Sequence, residues 1–320
     1  MNTDLPVLIV STKVDVATDS VARILGDLHV PFFRLNTEDF PYRTSSTYQT
    51  GQNRVAFQGM SGPFRSIWWR RLRSPETPED MNDGVHDYCV REGRDFLAGI
   101  VLASQCRIMS RPSSVWAAEH KLYQLKIAED CGLKIPRTVA TNSPTEIRNT
   151  FAAFDGQMIA KPVRSGYVDL RDGSQRSIFT TKITEDMLED LSGAKWTPAI
   201  FQELIPKALD VRITVVGKQI FPAAIESLTD PAAVVDWRRT ENPDLPHSKL
   251  ELPVELEAKI RLLMQRLDLS FGALDFVLTP DDEYIFLEVN PSGQWLWLDD
   301  RLDLGITSAV ATWLSTGEEA

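Results

Sequence analysis

The sequence is short of the residues that most often reveal a chemistry. Its 320 residues hold three cysteines and four histidines. Cys89, Cys106 and Cys131 contain no Cys-x-x-Cys spacing, and such a set fits a reducing compartment and a cytoplasmic location. His29, His86, His120 and His247 are scattered and lack the spacing of zinc ligands. No G-x-G-x-x-G joins the first strand to the first helix, so a dinucleotide fingerprint is missing. No nucleophile triad motif is present. No apolar run is long enough to span a bilayer. Val7 to Val10 is too short for a signal core, and no basic residues precede it. Positive charge is scarce as well. Lys and Arg number 34 against 45 Asp and Glu, a net charge of −11, which argues against nucleic acid or a membrane surface as partner. Repeats and low-complexity segments are absent.

What is present is a long apolar complement, 43% of residues, enough for two or three lobes. Residues 6–11 are predicted as a buried strand, 15–28 as a helix and 30–35 as a second strand. This βαβ opening predicts an α/β protein with a parallel sheet. Residues 47–72 alternate like a pair of strands, and 86–105 suit a long helix. A second lobe is expected to open with a helix over 115–131, stopped by Gly132. Met158 to Pro162 suits a strand, and Arg164 to Gln175, with Gly166 and Gly173, suits a flexible loop. An apolar strand is expected over 199–205. A hairpin over 210–225 turns at Gly217-Lys218. A helix over 253–268 precedes two further strands.

Those last strands carry Leu274-Asp275-Phe276 and the run Tyr284 to Trp295, which contains Glu288-Val289-Asn290. Residues two apart on a strand share a face, so Glu288 and Asn290 are expected to point the same way. Carboxylates and an amide oxygen suit Mg²⁺, which is usually held by one or two carboxylates together with nucleotide phosphates. Upstream stand Lys121, Lys161 in Ala-Lys-Pro, Phe201-Gln-Glu-Leu-Ile205 and Asp210-Val-Arg212. In this order the chain resembles an ATP-grasp carboxylate–amine ligase. Trp68-Trp69-Arg70-Arg71, Lys121-Leu-Tyr-Gln-Leu125, Gly132 to Thr138 and Phe286-Leu-Glu-Val-Asn-Pro-Ser-Gly-Gln-Trp295 resemble the microviridin-type, or graspetide, maturases that crosslink ribosomally made peptides.

The resemblance implies an ATP-grasp fold with an N-terminal βαβ pre-ATP-grasp domain (1–112), a central lobe with a glycine-containing lid (113–195) and a C-terminal lobe bearing the Mg²⁺ site (196–320). It implies ATP and Mg²⁺ as cofactors. Lys121 and Lys161 would meet the phosphates. Gln202, Glu203, Leu204 and Ile205 would line the adenine hinge, and Asp210 would hold the ribose. Asp275, Glu288 and Asn290 would bind the metal. Arg212, joined by Arg238, would stabilise charge on the transferred phosphate. The implied partner is a precursor peptide with a leader sequence, acted on by a possible homodimer. Other readings stay open at this point: a RimK-like ligase that adds amino acids to a terminus, or a nucleotide- or peptide-binding module without turnover. Arg70, Arg71 and Arg73 either grip substrate carboxylates or pin the first lobe to the second. Trp295 and Trp297 either wall a peptide site or pack the C-terminal lobe. Asp236 and Arg238 are either a surface ion pair or part of the site.

Overall fold

The computed structural model describes residues 5–51, 54–57, 60–78, 80–164, 166–169, 175–242 and 244–317. The first lobe is built from β1 (Val7–Ser11), α1 (Val16–Asp27), β2 (Phe32–Asn36), β3 (Ser46–Gln49), β4 (Arg54–Phe57), β5 (Met60–Ser61), β6 (Ser66–Trp69), α2 (Asp83–Ala103) and β7 (Arg107–Met109). β1 is buried along its whole length, as a central parallel strand with both faces covered must be. The parallel sheet runs β2-β1-β6-β7. Asp15 caps α1 by accepting the N–H of Thr18. The stretch over 47–72 is not a pair of strands. β3, β4 and β5 form a small antiparallel sheet of their own, while β6 leaves it to join β1. Alternation alone reports a half-buried strand and not which sheet it joins.

The next stretch holds α3 (Pro112–Ala118), α4 (Lys121–Asp130), β8 (Thr138–Thr141), α5 (Pro144–Ala153), β9 (Met158–Lys161), β10 (Tyr167–Asp169), β11 (Gln175–Ser177), β12 (Thr181–Lys182) and β13 (Ala199–Glu203). Its central sheet runs β12-β9-β13-β8, so that β13, although past the boundary expected at 195, pairs on this side of it. The helix expected over 115–131 is broken at Glu119-His120, where His120 is extended, so Lys121 opens a new helix. Gly132, at a φ of +74°, ends α4 in the left-handed conformation that costs glycine least. Part of the segment expected as a loop over 164–175 is strand: β10 and β11 pair as an antiparallel ladder. Gly173 lies outside the described residues. Gly166 is described, and a Cβ there would strike the carbonyl oxygen of Ile178, so only glycine fits.

The C-terminal part contains β14 (Leu209–Val216), β15 (Gln219–Ile225), β16 (His247–Lys249), α6 (Val254–Arg266), β17 (Phe271–Leu278), β18 (Tyr284–Asn290), α7 (Leu296–Leu302) and α8 (Ile306–Thr316). Its antiparallel sheet runs β16-β15-β14-β17-β18. The last helix returns to the first lobe. Ile306, Val310 and Leu314 of α8 share a core with Val7, Ile9 and Val21, and Ser66 and Arg65 donate to the carbonyls of Leu314 and Ser315, each at 2.7 Å. Chain order and packing order therefore differ at the C-terminus. No helix among the described residues is long and apolar enough to cross a membrane.

Candidate active site

A cleft of about 870 Å³ opens between the central sheet and the C-terminal sheet. On the C-terminal side its chemistry follows from strand alternation. In β14, Val211, Ile213 and Val215 enter the main core, which leaves Asp210 and Arg212 on the opposite face. The registers place Arg212 opposite Asp275 on β17, and Asp275 opposite Glu288 on β18. Strict alternation along β18 would put Glu288 on the same face as Phe286, which is fully buried in the core. A bulge prevents this. The ladder steps from Asp275–Glu288 to Phe276–Phe286, Leu287 is left over, and Glu288 turns to the cleft side with Asp275.

β18 is the edge of its sheet, and Gln124 of α4 takes the place of a further strand. Its side chain is buried, accepts the N–H of Val289 at 3.0 Å and donates to the carbonyl of the same residue at 2.8 Å. The backbone between Glu288 and Asn290 is thereby fixed to the helix that carries Lys121. Lys121 Nζ lies 3.2 Å from Glu288 Oε2. Lys161, at the end of β9, is buried on the far wall of the cleft and makes no ion pair among the described residues. Burial pushes its pKa down to about 8, against the pull of Glu288 and with the help of Lys121 and Arg238. Burial pushes Glu288 upward, yet Lys121, Lys161 and Arg238 hold it down at about 2. Asp275 is raised, first by burial, with Arg212 opposing and Glu288 reinforcing.

Arg212 is held in the wall. One guanidinium nitrogen donates to both oxygens of Asp275, at 3.0 and 2.9 Å, and the other donates to the carbonyl of Gln294 at 3.1 Å. Gly293 makes this possible, because a Cβ there would strike Ala273 and come within 2.8 Å of the guanidinium. Arg238 is ion-paired with a buried carboxylate and also reaches toward Glu288. It forks onto Asp236 at 2.8 and 2.7 Å, and it stands 4.0 Å from Glu288 across the cleft.

The donor set suits a hard divalent cation. Asp275 and Glu288 face one another among lysines and arginines, two carboxylates without a third, so phosphate oxygens and water would have to complete a shell. Among the described residues, no group of three or more acidic, histidine or cysteine side chains is gathered for a metal. Asn290 is exposed at the cleft mouth, and its Oδ1 accepts the N–H of Ser292 at 3.0 Å.

The residues expected at the adenine hinge divide. Gln202 is fully buried on the cleft wall; its Nε2 donates to Thr138 at 2.8 Å, and its Oε1 has no partner among the described residues. Glu203 turns to Arg137 instead, accepting its backbone N–H at 2.8 Å and its Nε at 2.5 Å. The Leu204 N–H is taken by the carbonyl of Gln157 at 2.8 Å, and neither Leu204 nor Ile205 is part of the cleft lining. Asp210 lines the cleft, ion-paired to Lys207 at 2.6 Å and accepting from Ser227. Trp295 is buried against Trp68 and Phe271 and packs the molecule together. Trp297 is half-buried and packs against Trp237 at the cleft rim, their rings tilted by 33° with centroids 5.0 Å apart. Sequence reasoning missed Gln124 and Gly293. Their signals were faint: an amide inside a helix phrase, and a glycine in a turn.

Two facing sheets, with lysine reaching in from one and paired carboxylates from the other, define an ATP-grasp ligase. Comparisons with known proteins agree and narrow the class. A family model described as the MvdD pre-ATP grasp domain matches residues 6–115. The macrocyclase MdnC from Microcystis aeruginosa, solved with its precursor peptide MdnA, is 30% identical over 98% of this chain and 100% of that one, with a TM-score of 0.88. Macrocyclase MdnB from the same organism is 31% identical over 98% and 100%, with a TM-score of 0.81. A RiPP-associated ATP-grasp ligase from Chryseobacterium gregarium, solved with ADP and a leader and core peptide, is 27% identical over 98% and 97%, with a TM-score of 0.88. No curated protein matches. The chain belongs to the ATP-grasp maturases of ribosomally made peptides, the graspetide or microviridin-type family.

Proposed function

We propose that this ligase uses ATP to activate Asp or Glu side chains of a ribosomally made precursor peptide and closes ester or amide crosslinks within that peptide. The observation that carries the reading is the full-length likeness to a peptide macrocyclase, together with a cleft that gathers Lys121, Lys161 and Arg238 around two carboxylates. A substrate carboxylate oxygen attacks the γ-phosphorus of ATP, the bond to the ADP oxygen breaks, and an acyl phosphate forms. A peptide hydroxyl or amine then attacks the acyl carbon. Phosphate leaves with the bonding electrons, and the nucleophile gives up its proton. Positioning and charge stabilisation do most of the catalytic work in such a transfer.

Lys121 and Lys161 neutralise the phosphates, and Lys161 is well suited because it makes no ion pair with a carboxylate among the described residues. Asp275 and Glu288 would hold Mg²⁺, with Asn290 at the rim, and the ion would supply neutralisation of phosphate charge. Arg238 faces the transferred phosphate. Arg212 acts from behind Asp275, orienting that carboxylate while its second nitrogen fixes the turn at Gln294. The Oε1 of Gln202, unpaired among the described residues, offers an acceptor to the exocyclic amine of adenine, and Glu203, Leu204 and Ile205 follow it as the hinge segment at and beyond the end of β13. Asp210 meets the ribose. The glycine at 166 lets the chain pass close to the phosphates. The neighbours solved with precursor or leader peptides support such a peptide as partner, and a homodimer and a cytoplasmic site of action complete the reading.

The test is mass spectrometry of the precursor encoded beside the gene after incubation with the enzyme, ATP and Mg²⁺. Loss of one water per crosslink is expected, and an unchanged mass sinks the reading. A terminal amino-acid ligase would produce a mass gain instead. The likeness to a RimK domain protein from Sphaerobacter thermophilus, 13% identical with a TM-score of 0.58, speaks only for a shared fold.

A further inference from the structure

Beside the nucleotide cleft, in the first lobe, lies a second cavity of about 450 Å³. Glu119 and Arg164 border both spaces, and a single peptide step separates their walls: Pro291 lines the cleft and Ser292 the cavity. Arg70, Arg71, Arg73 and Arg94 also line it, over an apolar floor that includes Phe40, Leu97 and Val115.

The arginines are not equivalent. Arg70 is structural. It is buried, stands 3.4 Å from Asp15, and donates to the carbonyl of Gly293 and to Gln294 Oε1, each at 3.0 Å. Its guanidinium lies 4.6 Å from the Trp295 ring centroid. This one residue pins the first lobe to the turn after β18. Arg71 donates only to the carbonyl of Ser292, at 3.3 Å. Arg73 and Arg94 are exposed, and no ion pair of Arg71, Arg73 or Arg94 occurs among the described residues. Glu119, the carboxylate on the described wall, is already paired with Arg164. In a chain of net charge −11, three unanswered guanidinium groups around one concavity make a local field of the opposite sign. Pinning the lobes does not explain Arg73 or Arg94, because among the described residues neither side chain bonds to another element.

We propose that this cavity receives carboxylate side chains of the peptide substrate, with Arg71, Arg73 and Arg94 as their receptors, and so anchors an acidic segment next to the nucleotide cleft. The inference rests on the peptide-ligase reading above. Planar guanidinium forks match carboxylates two bonds at a time, and the apolar floor strengthens such bonds by excluding water. The shared border at Glu119 and Arg164 gives a bound peptide a direct path from the anchor to the phosphates.

The test is a binding measurement without turnover. Fluorescence anisotropy would follow a labelled synthetic peptide of Thr, Asp and Glu, and the same peptide with Asn and Gln replacing its acids. The wild type is expected to bind the acidic peptide at least about tenfold more tightly, and Arg73→Gln/Arg94→Gln to lose that preference. Each single variant should lose part of it. ADP affinity, measured on the same preparations, should stay unchanged and reports that the variants are folded. Equal binding of the two peptides by the wild type overturns the proposal, as does a preference that survives in the double variant. Inorganic phosphate at matched ionic strength should not displace the acidic peptide; if it does, the cavity is a phosphate site and the proposal fails. Because no product is read, failure here leaves the mass-loss test of the ligase reading intact, and failure there does not alter the binding result.

Discussion

The two sheets that face each other across the cleft are fastened to the molecule in different ways. The C-terminal sheet shares one continuous core with the first lobe: Val211, Ile213, Leu274, Phe276 and Phe286 pack in the same cluster as Leu8, Ile67 and Leu97. The central sheet rests on a small separate core of Ile147, Phe154, Met158 and Phe201. Its ties across the cleft are polar, such as Asp236 to the Thr180 N–H at 3.3 Å and Arg239 to the Thr180 carbonyl at 2.8 Å. The carboxylates and Arg212 therefore stand on the rigid half, and Lys161 and Gln202 on the half with less to hold it. Groups that must keep sub-ångström register with each other share a core. Groups that must admit and release a nucleotide hang on the smaller one.

The largest expected effect comes from breaking the rigid half at its chemistry. Glu288→Gln should keep the fold and cut ADP production by about a hundredfold or more, because a charged ligand becomes a neutral one. Wild-type rates in that variant would remove Glu288 from the site. Next, Arg70→Met should destabilise the protein by roughly 3 kcal/mol in denaturant unfolding, since Asp15 is left buried without its partner. A loss below about 1 kcal/mol would show that the lobes are joined without it.

A smaller effect sharpens the mobile half. In the free protein Lys161 is charged only below about pH 8, and a bound phosphate favours the charged form. ADP affinity should therefore fall as pH rises through about 8, by less than tenfold per unit, with protons taken up on binding in that window. Calorimetry in buffers of different ionisation enthalpy reads this directly. An identical profile in Lys161→Gln would contradict the clamp. A last effect, without consequence for turnover, concerns motion. Amides of β9 and β13 should exchange at least about tenfold faster than those of β14 and β17, and ADP should narrow the gap. Uniform protection across both sheets would erase the contrast.

The α/β class and the βαβ opening were legible because each rests on local pattern, a buried strand and a helical period, whereas the ATP-grasp order was legible as the resemblance of several motifs, taken in sequence, to a known family. Gly132 was legible from local pattern as well, since a left-handed helix stop favours glycine. The split at Glu119-His120 was not, because α3 and α4 carry similar patterns on either side of it. The two sheets within 47–72 were hidden because alternation is blind to partner choice. Gln124 was hidden because its side-chain amide serves an edge strand more than a hundred residues away in sequence.

The sequence by itself determined which side chains are available: two lysines, two carboxylates, an amide, and arginines in excess at one point of an acidic chain. Tertiary structure alone decided where they face. The bulge at Leu287 turned Glu288 from the core to the cleft, Gly293 admitted the Arg212 guanidinium, and α8 closed the first lobe with residues from the far end of the chain. Composition and period are properties of neighbours along the chain. Facing, pairing and the cavity between arginines depend on residues brought together only by packing, which the local pattern does not encode.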